Sequence, residues 1–184
     1  MRRRLRHVRA GLGRCSRHCA RMAAAHLLAR RRVRRARHVA VYLSVGSELP
    51  TAPLIEALRR RAGVVVWAPV VGRTGTMRFA RLGRGPLNRD RCGMPAPARL
   101  RTRRSARRMD LIVMPLLGFD GAGQRLGSGR GYYDRALAGR RGRRPWLVGY
   151  AYAAQELPSL PADPWDVRLD AVATESGYRR LRGR

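Results

Sequence analysis

The sequence LIVMPLLGFDGAGQRLGSGRGYYDR occupies residues 111–135 and indicates the fold of the chain. Its first four residues are apolar and precede Pro115, a pattern typical of a short strand buried on both faces of a parallel sheet. The glycines that follow predict a loop whose backbone can adopt positive φ and approach a ligand closely. A helix is predicted from Tyr132 onward. The segment therefore has the order strand, glycine-rich loop and helix.

The glycine-rich loop is predicted to bind phosphate. Successive backbone N–H groups in such a loop form an anion-binding nest, and the N-terminus of the following helix adds partial positive charge. Arg125 and Arg130 supply guanidinium donors suited to phosphate oxygens. Asp134 falls in the first predicted helical turn, where a carboxylate can also meet a Mg²⁺ ion carried on phosphates.

Other kinds of glycine-rich loop fit the sequence less well. A Rossmann fingerprint fails because no glycine follows Gly127 and Gly129 at the required spacing, and a P-loop is excluded because the chain contains no lysine. A loop whose glycines are purely structural remains an alternative.

The charge of the chain is extreme. Its 184 residues include 41 basic side chains, all of them arginine, and 11 acidic ones, for a formal net charge of +30. This excess indicates nucleic acid, an anionic membrane or anionic small molecules as partners, although arginine-favouring codon use produces the same excess without a selected surface. A carboxylate retained in such a chain is a functional candidate, and five fall inside candidate motifs: Glu48, Asp120, Asp134, Asp166 and Asp170.

Length and cysteine content predict one cytoplasmic domain. A chain of 184 residues is long enough for one sizeable core. Three cysteines without framework spacing favour a reduced compartment, and no apolar run is long enough to span a membrane. Residues 1–47 lack acids, as organellar transit peptides do, but they contain little serine and lead directly into the first predicted strand. We expect a monomer.

Residues 2–35 are predicted to form one long, basic amphipathic helix. Its apolar stripe comprises Leu5, Val8, Leu12, Cys15, Cys19, Met22 and His26. Two cysteines and a histidine share this stripe, so a metal site is an alternative there, but a fourth ligand is missing and small buried side chains are the expected interpretation. All four histidines lie within residues 1–38, which excludes a histidine base in the rest of the chain.

Short apolar segments predict the remaining strands. A helix is predicted to begin after Thr51, with Pro53 in its first turn, and residues 83–108 are predicted to be an irregular connection. The predicted strands span residues 38–44, 63–69, 77–82, 111–114, 146–152 and 171–174.

The central segment resembles the signature of the 5-formyltetrahydrofolate cyclo-ligase (5,10-methenyltetrahydrofolate synthetase) family. The resemblance rests on FD, RLG and GYYDR, in that order and with spaced glycines, across residues 119–135. It implies a single three-layer, Rossmann-like α/β domain over residues 1–184, with a largely parallel sheet similar to that of sugar-phosphate isomerases and CoA transferases. Within it, residues 1–35 would be the basic helix and residues 111–139 the strand, phosphate loop and helix.

The resemblance also implies a reaction and its ligands. ATP and Mg²⁺ would drive the cyclisation of 5-formyltetrahydrofolate to 5,10-methenyltetrahydrofolate, with release of ADP and phosphate. No catalytic residue is implied beyond groups that bind phosphate and metal, and Mg²⁺ would be held by Asp134 and Asp166. ATP would contact Arg2, Arg6, Arg125, Leu126, Gly127, Ser128, Gly129, Arg130, Gly131, Tyr132 and Tyr133. The folate would contact Leu43, Glu48, Ser128, Gly129, Arg130, Gly131 and Tyr132.

Two features leave alternatives open. Where the family usually has a Glu-Pro pair, this chain has Ala96-Pro97, which puts a secondary binding contact in doubt and permits a family member without activity. The charge permits a nucleic-acid-binding protein in which Tyr132, Tyr133 and Trp146 stack on bases. The two tyrosines belong to a glycine and aspartate motif, however, so nucleic acid is expected to bind non-specifically if at all.

Overall fold

The computed structural model of the chain describes residues 1–98, 102–140, 142 and 144–181, without the side chains of residues 14 and 15. Its α-helices are α1 (Arg2–Gly11), α2 (Ser16–Leu28), α3 (Arg31–Arg35), α4 (Ala52–Arg59) and α5 (Tyr132–Leu137). Turns of 3₁₀ helix occupy Leu12–Cys15, Ala106–Arg108 and Ala153–Gln155. The strands are β1 (His38–Val41), β2 (Val65–Val71), β3 (Met77–Arg81), β4 (Leu87–Arg89), β5 (Pro95–Pro97), β6 (Arg103–Arg104), β7 (Leu111–Met114), β8 (Gly118–Phe119), β9 (Arg125–Leu126), β10 (Trp146–Tyr150), β11 (Ala171–Thr174) and β12 (Gly177–Arg180).

An eight-stranded sheet forms the centre of the described chain, in the order β12-β11-β10-β7-β1-β2-β3-β6. The five strands from β11 to β2 pair in parallel. The strands outside them, β12 on one side and β3 and β6 on the other, pair antiparallel. The prediction of an α/β fold with a largely parallel sheet is confirmed.

Both faces of the inner strands are buried. On one face, Val39 and Val41 of β1 belong to a cluster that includes Leu27 of α2 and Leu54 of α4. On the other face, Ala40 of β1 belongs to a second cluster, which includes α5. The sheet therefore has a helical layer on each side, and continuous apolar runs such as that of β7 are required because neither face meets water.

The N-terminal region differs from the predicted single helix over residues 2–35. α1 ends at Gly11, and α2 and α3 are separate helices. The predicted stripe is correct in part: Leu5 is buried and Leu12 and Cys19 pack against the core, but Val8 is 41% exposed and Met22 38% exposed. Gly11 and Gly13 weaken a continuous helix, and α2 instead buries small residues that fit close to the sheet. Its buried residues are Ala20, Ala23, Ala24 and Leu27.

The alternative metal site on that helix has no support among the described residues. The side chain of Cys15 lies outside them, and within them no group of three His, Cys, Asp or Glu side chains is placed to hold a metal ion. Cys19 is half-buried against the core, and His26 Nδ1 lies 3.1 Å from the carbonyl oxygen of Thr174. No helix in the described ranges is long and apolar enough to cross a membrane.

Residues 83–108 contain more structure than predicted. β4 and β5 form an antiparallel hairpin, and β6 pairs with β3 at the sheet edge. Strands of two or three residues are too short to show the alternation on which a strand prediction depends. The hairpin matters for function because its tip, residues 90–94, reaches the cavity described below.

Asp120 fixes the loop that follows β7. Its buried carboxylate accepts hydrogen bonds from the backbone N–H groups of Ala122 and Gln124 through Oδ1 and from that of Leu160 through Oδ2. Gly123 completes this turn at φ +85°, and a Cβ there would lie 2.7 Å from the carbonyl oxygen of Leu169. The FD pair of the motif is therefore architectural, since Asp120 joins two loops of the site.

We expect Asp120→Asn to lower the free energy of unfolding by about 2 kcal/mol. An asparagine amide cannot accept from all three N–H groups, and its own N–H₂ group would face one of these donors. Urea denaturation followed by circular dichroism measures the change. Asp163→Asn, an exposed substitution, is the control and should change the same quantity by less than about 0.5 kcal/mol. Equal losses in the two variants would contradict the anchoring role.

Candidate active site

A cavity of about 670 Å³ lies where the chain leaves the carboxyl ends of β1, β2 and β7. Open α/β sheets bind ligands at this edge of the parallel strands. The loop after β1 supplies Leu43 and Glu48, the loop after β7 supplies the glycine-rich segment, and α1 supplies Arg6 and Arg9. Residues that are remote in sequence thus share one enclosed space.

Most of the predicted ligand contacts line this cavity. The predicted residues found there are Arg6, Leu43, Glu48, Arg125, Gly127, Ser128, Gly129, Arg130, Gly131, Tyr132, Tyr133, Asp134 and Asp166. Arg2 lies beside the glycine-rich loop, where its Nε donates to the carbonyl oxygen of Gly127 at 3.2 Å. Leu126 is held in the β8–β9 pair, and its carbonyl oxygen accepts from the N–H of Leu117 at 2.7 Å.

The glycine-rich loop has the conformation that its sequence predicts. Gly129 has φ +95° and Gly131 has φ +62°, a region that residues with a Cβ rarely adopt. Gly131 directly precedes α5, so Asp134 lies in the first turn of the helix. A Cβ on Gly129 would approach the guanidinium of Arg2 to 3.6 Å. The loop and the start of α1 are therefore in contact around a site suited to an anion.

Arg125 and Asp134 form a buried ion pair inside the cavity wall. Arg125 Nη2 donates to Asp134 Oδ1 at 2.5 Å, and their side chains are 7% and 18% exposed. The same Oδ1 accepts from the N–H of Val167 at 3.3 Å, which holds the segment carrying Asp166 close by. Thus both predicted metal ligands line the same cavity, and Asp134 is paired with the arginine predicted to bind phosphate.

Two buried polar atoms beside this pair have no hydrogen-bond partner among the described residues: Arg125 Nε and the hydroxyl of Tyr133. Burial raises the pKa of Tyr133 well above its usual range, and the charge of Glu48 adds to this while that of Arg125 opposes it. Unpartnered buried polar groups are costly and concentrate at functional sites. Their presence marks this wall as the polar end of the cavity.

Glu48, which is predicted to contact the folate, is largely buried. Its Oε2 accepts from the N–H of Val45 at 3.0 Å, and its Oε1 lies 3.8 Å from Arg9 Nη1. Burial raises the pKa of the Glu48 carboxyl, while the Val45 hydrogen bond and the positive charge of Arg9 lower it. The net direction is upward, so burial outweighs the two stabilising contacts.

Sequence reasoning missed Arg9, although a signal was available. Arg2, Arg6 and Arg9 are spaced by four and three residues and therefore share one face of α1. Arg9 is 12% exposed, and its guanidinium also donates to Ser47 Oγ at 3.1 Å and to the carbonyl oxygen of Leu116 at 3.4 Å. In a chain with so many arginines, this spacing is the feature of the sequence that distinguishes Arg9 from arginines on the exposed surface.

The tip of the β4–β5 hairpin and Trp165, in the same loop as Asp166, also border the cavity, and neither was among the predicted site residues. Asp90 holds the hairpin tip by accepting from the N–H groups of Val71, Cys92 and Met94. Cys92 Sγ lies 3.0 Å from the hydroxyl of Tyr132. Trp165 borders the cavity beside Asp166 and is 70% exposed. These segments carry no periodic pattern, so their approach depends on tertiary packing.

Three other residues are structural: Gln155, and Asp170 and Trp146, which the sequence singled out. Gln155 is buried and donates from Nε2 to the carbonyl oxygens of two residues after β7. Asp170 pairs with an arginine and accepts from the N–H of Leu147, so it ties the start of β10 to β11. Trp146 is 2% exposed and offers no open face for stacking on bases. The nucleic-acid alternative therefore loses one of its three aromatic contacts.

Comparison with protein families gives a match over nearly the whole chain. A model of the 5-formyltetrahydrofolate cyclo-ligase family matches residues 1–175. A protein of Escherichia coli (strain K12) named 5-formyltetrahydrofolate cyclo-ligase is 39% identical over 143 residues, which cover 75% of this chain and 78% of that protein. A protein of the same name from Haemophilus influenzae is 31% identical over 170 residues, covering 90% of each.

Solved structures show the same fold. The NMR structure of a 5,10-methenyltetrahydrofolate synthetase of Aquifex aeolicus matches with a TM-score of 0.81 at 29% identity, and the match covers 100% of this chain and 92% of that one. The structure of a 5,10-methenyltetrahydrofolate synthetase of Mycoplasma pneumoniae matches with a TM-score of 0.74 at 24% identity and bears on the fold alone.

We expect Glu48→Gln to raise the midpoint of thermal unfolding at neutral pH. Because the pKa of Glu48 is raised in the folded state, its ionised form costs stability above that pKa, and the cost disappears as the pH falls toward the ordinary range of a glutamate. The advantage of the variant should shrink over the same interval. Circular dichroism melts at several pH values measure it, with the exposed Glu56→Gln as control. A lower midpoint for Glu48→Gln at neutral pH would show that the Arg9 attraction outweighs burial.

Proposed function

The chain belongs to the 5-formyltetrahydrofolate cyclo-ligase family, and on this basis we propose that it catalyses ATP- and Mg²⁺-dependent cyclisation of 5-formyltetrahydrofolate to 5,10-methenyltetrahydrofolate. ADP and phosphate are the other products. One observation carries the proposal: the glycine-rich loop, the basic face of α1, Glu48 and the carboxylates Asp134 and Asp166 all border a single cavity.

The reaction needs activation of an amide-like formyl oxygen, which is a poor leaving group at neutral pH. Transfer of the γ-phosphoryl group forms a bond from phosphorus to this oxygen and breaks the bond to the β-phosphate, releasing ADP. The neighbouring N10 then attacks the formyl carbon, the carbon–oxygen bond breaks to release phosphate, and N10 loses its proton. The protein contributes positioning and charge stabilisation rather than a covalent intermediate.

The basic face of α1 and the glycine-rich loop are proposed to bind ATP. Arg6 lines the cavity, and Arg2 lies against the loop. The positive φ angles of Gly129 and Gly131 support this proposal, because anion nests contain residues in the left-handed conformation. Arg125 is proposed to turn from Asp134 to the phosphates, which would give its unpartnered Nε an acceptor.

Asp134 and Asp166 are proposed to hold Mg²⁺. Two carboxylates facing phosphate oxygens form the hard oxygen-donor set that this ion prefers, and it usually binds through one or two carboxylates. When bound, Mg²⁺ would neutralise charge that develops on the transferring phosphoryl group. If Arg125 turned away, Asp134 would lose its positively charged partner, and a bound Mg²⁺ would replace that charge. The residues present therefore fit the metal.

The folate is proposed to bind at the end of the cavity formed by Leu43, Glu48 and Tyr132. Glu48 is placed there by its hydrogen bond with Val45 and by Arg9, so its orientation is set before a ligand arrives. We further propose that the protein acts as a cytoplasmic monomer. Three cysteines without framework spacing are consistent with a reduced compartment.

The activity is tested by near-ultraviolet absorbance of the purified protein mixed with 5-formyltetrahydrofolate. We expect the methenyl chromophore to appear only when both ATP and Mg²⁺ are present, since phosphoryl transfer must precede ring closure. Omission of ATP and omission of Mg²⁺ with a chelator are the matched controls. A flat trace from folded protein with all components would sink the proposed activity.

Asp166→Asn tests the metal assignment. We expect the Mg²⁺ concentration for half-maximal rate to rise by about tenfold or more, since one charged ligand is lost. Calorimetric titration with Mg²⁺ and a non-hydrolysable ATP analogue gives a second readout that does not depend on turnover. Asp163→Asn, an exposed carboxylate of the same loop, is the control. An unchanged Mg²⁺ requirement would remove Asp166 from the site.

Asp134→Asn is a less clean test of the same assignment. It leaves the buried guanidinium of Arg125 without its carboxylate, and breaking one half of a buried pair destabilises the fold. Any loss of activity in this variant must therefore be compared with its loss of stability.

A further inference from the structure

α1 buries little apolar surface against the rest of the protein. All ten of its residues lie in the described part of the chain, and Leu5 alone among them is buried. Leu5 packs against β8, where a Cβ on Gly118 would lie 3.3 Å from the Cδ1 atom of Leu5. An isolated helix of this length is only marginally stable in water. The position of α1 therefore depends on what its polar side chains contact.

The charges of α1 oppose its formation. The helix contains no acid and five arginines: Arg2, Arg3, Arg4, Arg6 and Arg9. Arg2 and Arg6 are four residues apart, and Arg6 and Arg9 are three apart, so they repel one another on one face, and like charges at these spacings destabilise a helix. An anion bound at this face reduces the repulsion. The phosphates of ATP, which are proposed to bind Arg2 and Arg6, would therefore stabilise α1 in the position that the structure shows.

Arg9 connects the far end of this face to the loop after β1. Its Nε donates to Ser47 Oγ at 3.1 Å, and its Nη1 lies 3.8 Å from Glu48 Oε1. The same Nη1 donates at 3.4 Å to the carbonyl oxygen of Leu116, in the loop after β7. The Arg9 side chain is 12% exposed, so these contacts are screened little by salt. One guanidinium thus helps to hold the carboxylate that is proposed to contact the folate.

Both ends of the cavity are in contact with α1. Arg2 donates to the carbonyl oxygen of Gly127 in the glycine-rich loop, and Arg6 lines the cavity. Arg9 lies about 10 Å from Arg2 along the helix axis, at a rise of 1.5 Å per residue. A helix this short moves as a unit, so an event at its first turn reaches Arg9 without any change in the sheet.

We propose that α1 couples nucleotide binding to folate binding, and that Arg9 is the positioning residue that transmits the effect to Glu48. Bound phosphates increase the fraction of molecules in which α1 is docked, and Arg9 then holds Glu48 in place for the folate. The nucleotide consequently raises the affinity for 5-formyltetrahydrofolate, and by reciprocity the folate raises the affinity for the nucleotide. The inference rests on the function proposed above and adds the manner in which that site is assembled.

Calorimetric titration measures this coupling without turnover. The dissociation constant of 5-formyltetrahydrofolate is determined in Mg²⁺ at physiological salt, with and without a saturating non-hydrolysable ATP analogue. We expect the analogue to tighten folate binding to the native protein about fivefold or more, which is a typical size for coupling between two sites. Arg9→Ala should bring the ratio of the two dissociation constants close to one.

Arg4→Ala is the matched control and should leave the ratio unchanged. It removes the same charge from an exposed position of the same helix, and Arg4 is not among the described residues that line the cavity. Arg9→Lys separates charge from geometry, because an ammonium group lacks the planar fork that contacts three partners at once. We expect its ratio to lie between those of the native protein and of Arg9→Ala, and this variant still tests the role of Arg9 if Arg9→Ala unfolds. Equal losses of the ratio in Arg4→Ala and Arg9→Ala would overturn that role.

Glu48→Gln tests the route of the coupling. If Arg9 acts through Glu48, this variant should lower the ratio as Arg9→Ala does. Combining the two substitutions should then cause no further change in the ratio, as expected for residues of one network. A ratio that persists in Glu48→Gln would overturn the route through Glu48.

The remaining outcomes separate this inference from the proposed function. Formation of the methenyl product by the native protein, together with a ratio of one, would overturn the coupling and leave the cyclo-ligase activity in place. Weaker binding of both ligands to Arg9→Ala with an unchanged ratio would make Arg9 a structural residue and also overturn the coupling. Absence of both folate binding and product in the native protein would overturn the proposed function and this inference together.

Discussion

Parallel pairing of β1 with β7 is the constraint on which the candidate site depends. The register joins Val39 with Leu111 and Val41 with Val113, so the two strands end at the same level and their loops leave the same edge of the sheet. Glu48 and the glycine-rich loop meet for this reason. Parallel strands at the centre of a sheet are covered on both faces, which explains why these two strands have apolar sequences and why polar chemistry begins only where they end.

The scarce carboxylates serve the architecture as much as the chemistry. Asp90, Asp110, Asp120 and Asp170 each accept backbone N–H groups and hold a loop or a strand end in place. In a chain with a net charge of +30, the positive side chains repel one another. Each buried carboxylate therefore also neutralises local positive potential. The presence of an acid in so basic a sequence therefore marks an important position. It does not show whether the carboxylate holds the backbone or faces the cavity.

Short-range patterns predicted elements well where one pattern dominated. The strand at β7, the glycine-rich loop and the start of α5 follow from residues next to one another in the chain. The prediction of one continuous helix with a single apolar stripe failed over residues 2–35. An apolar period in the sequence does not show where a helix is interrupted or which of its faces meets the sheet. Arg9 and the β4–β5 hairpin were missed for a related reason, since their importance depends on contacts with residues far along the chain.

The sequence by itself determined the α/β class, the glycine-rich loop and the family resemblance, because each depends on local backbone preferences and on a contiguous motif. Only the tertiary structure decided that Arg125 pairs with Asp134 and that Arg9 reaches Glu48. Such relations join residues from different elements. They arise from strand order and register, which a linear pattern of apolar and charged residues does not specify.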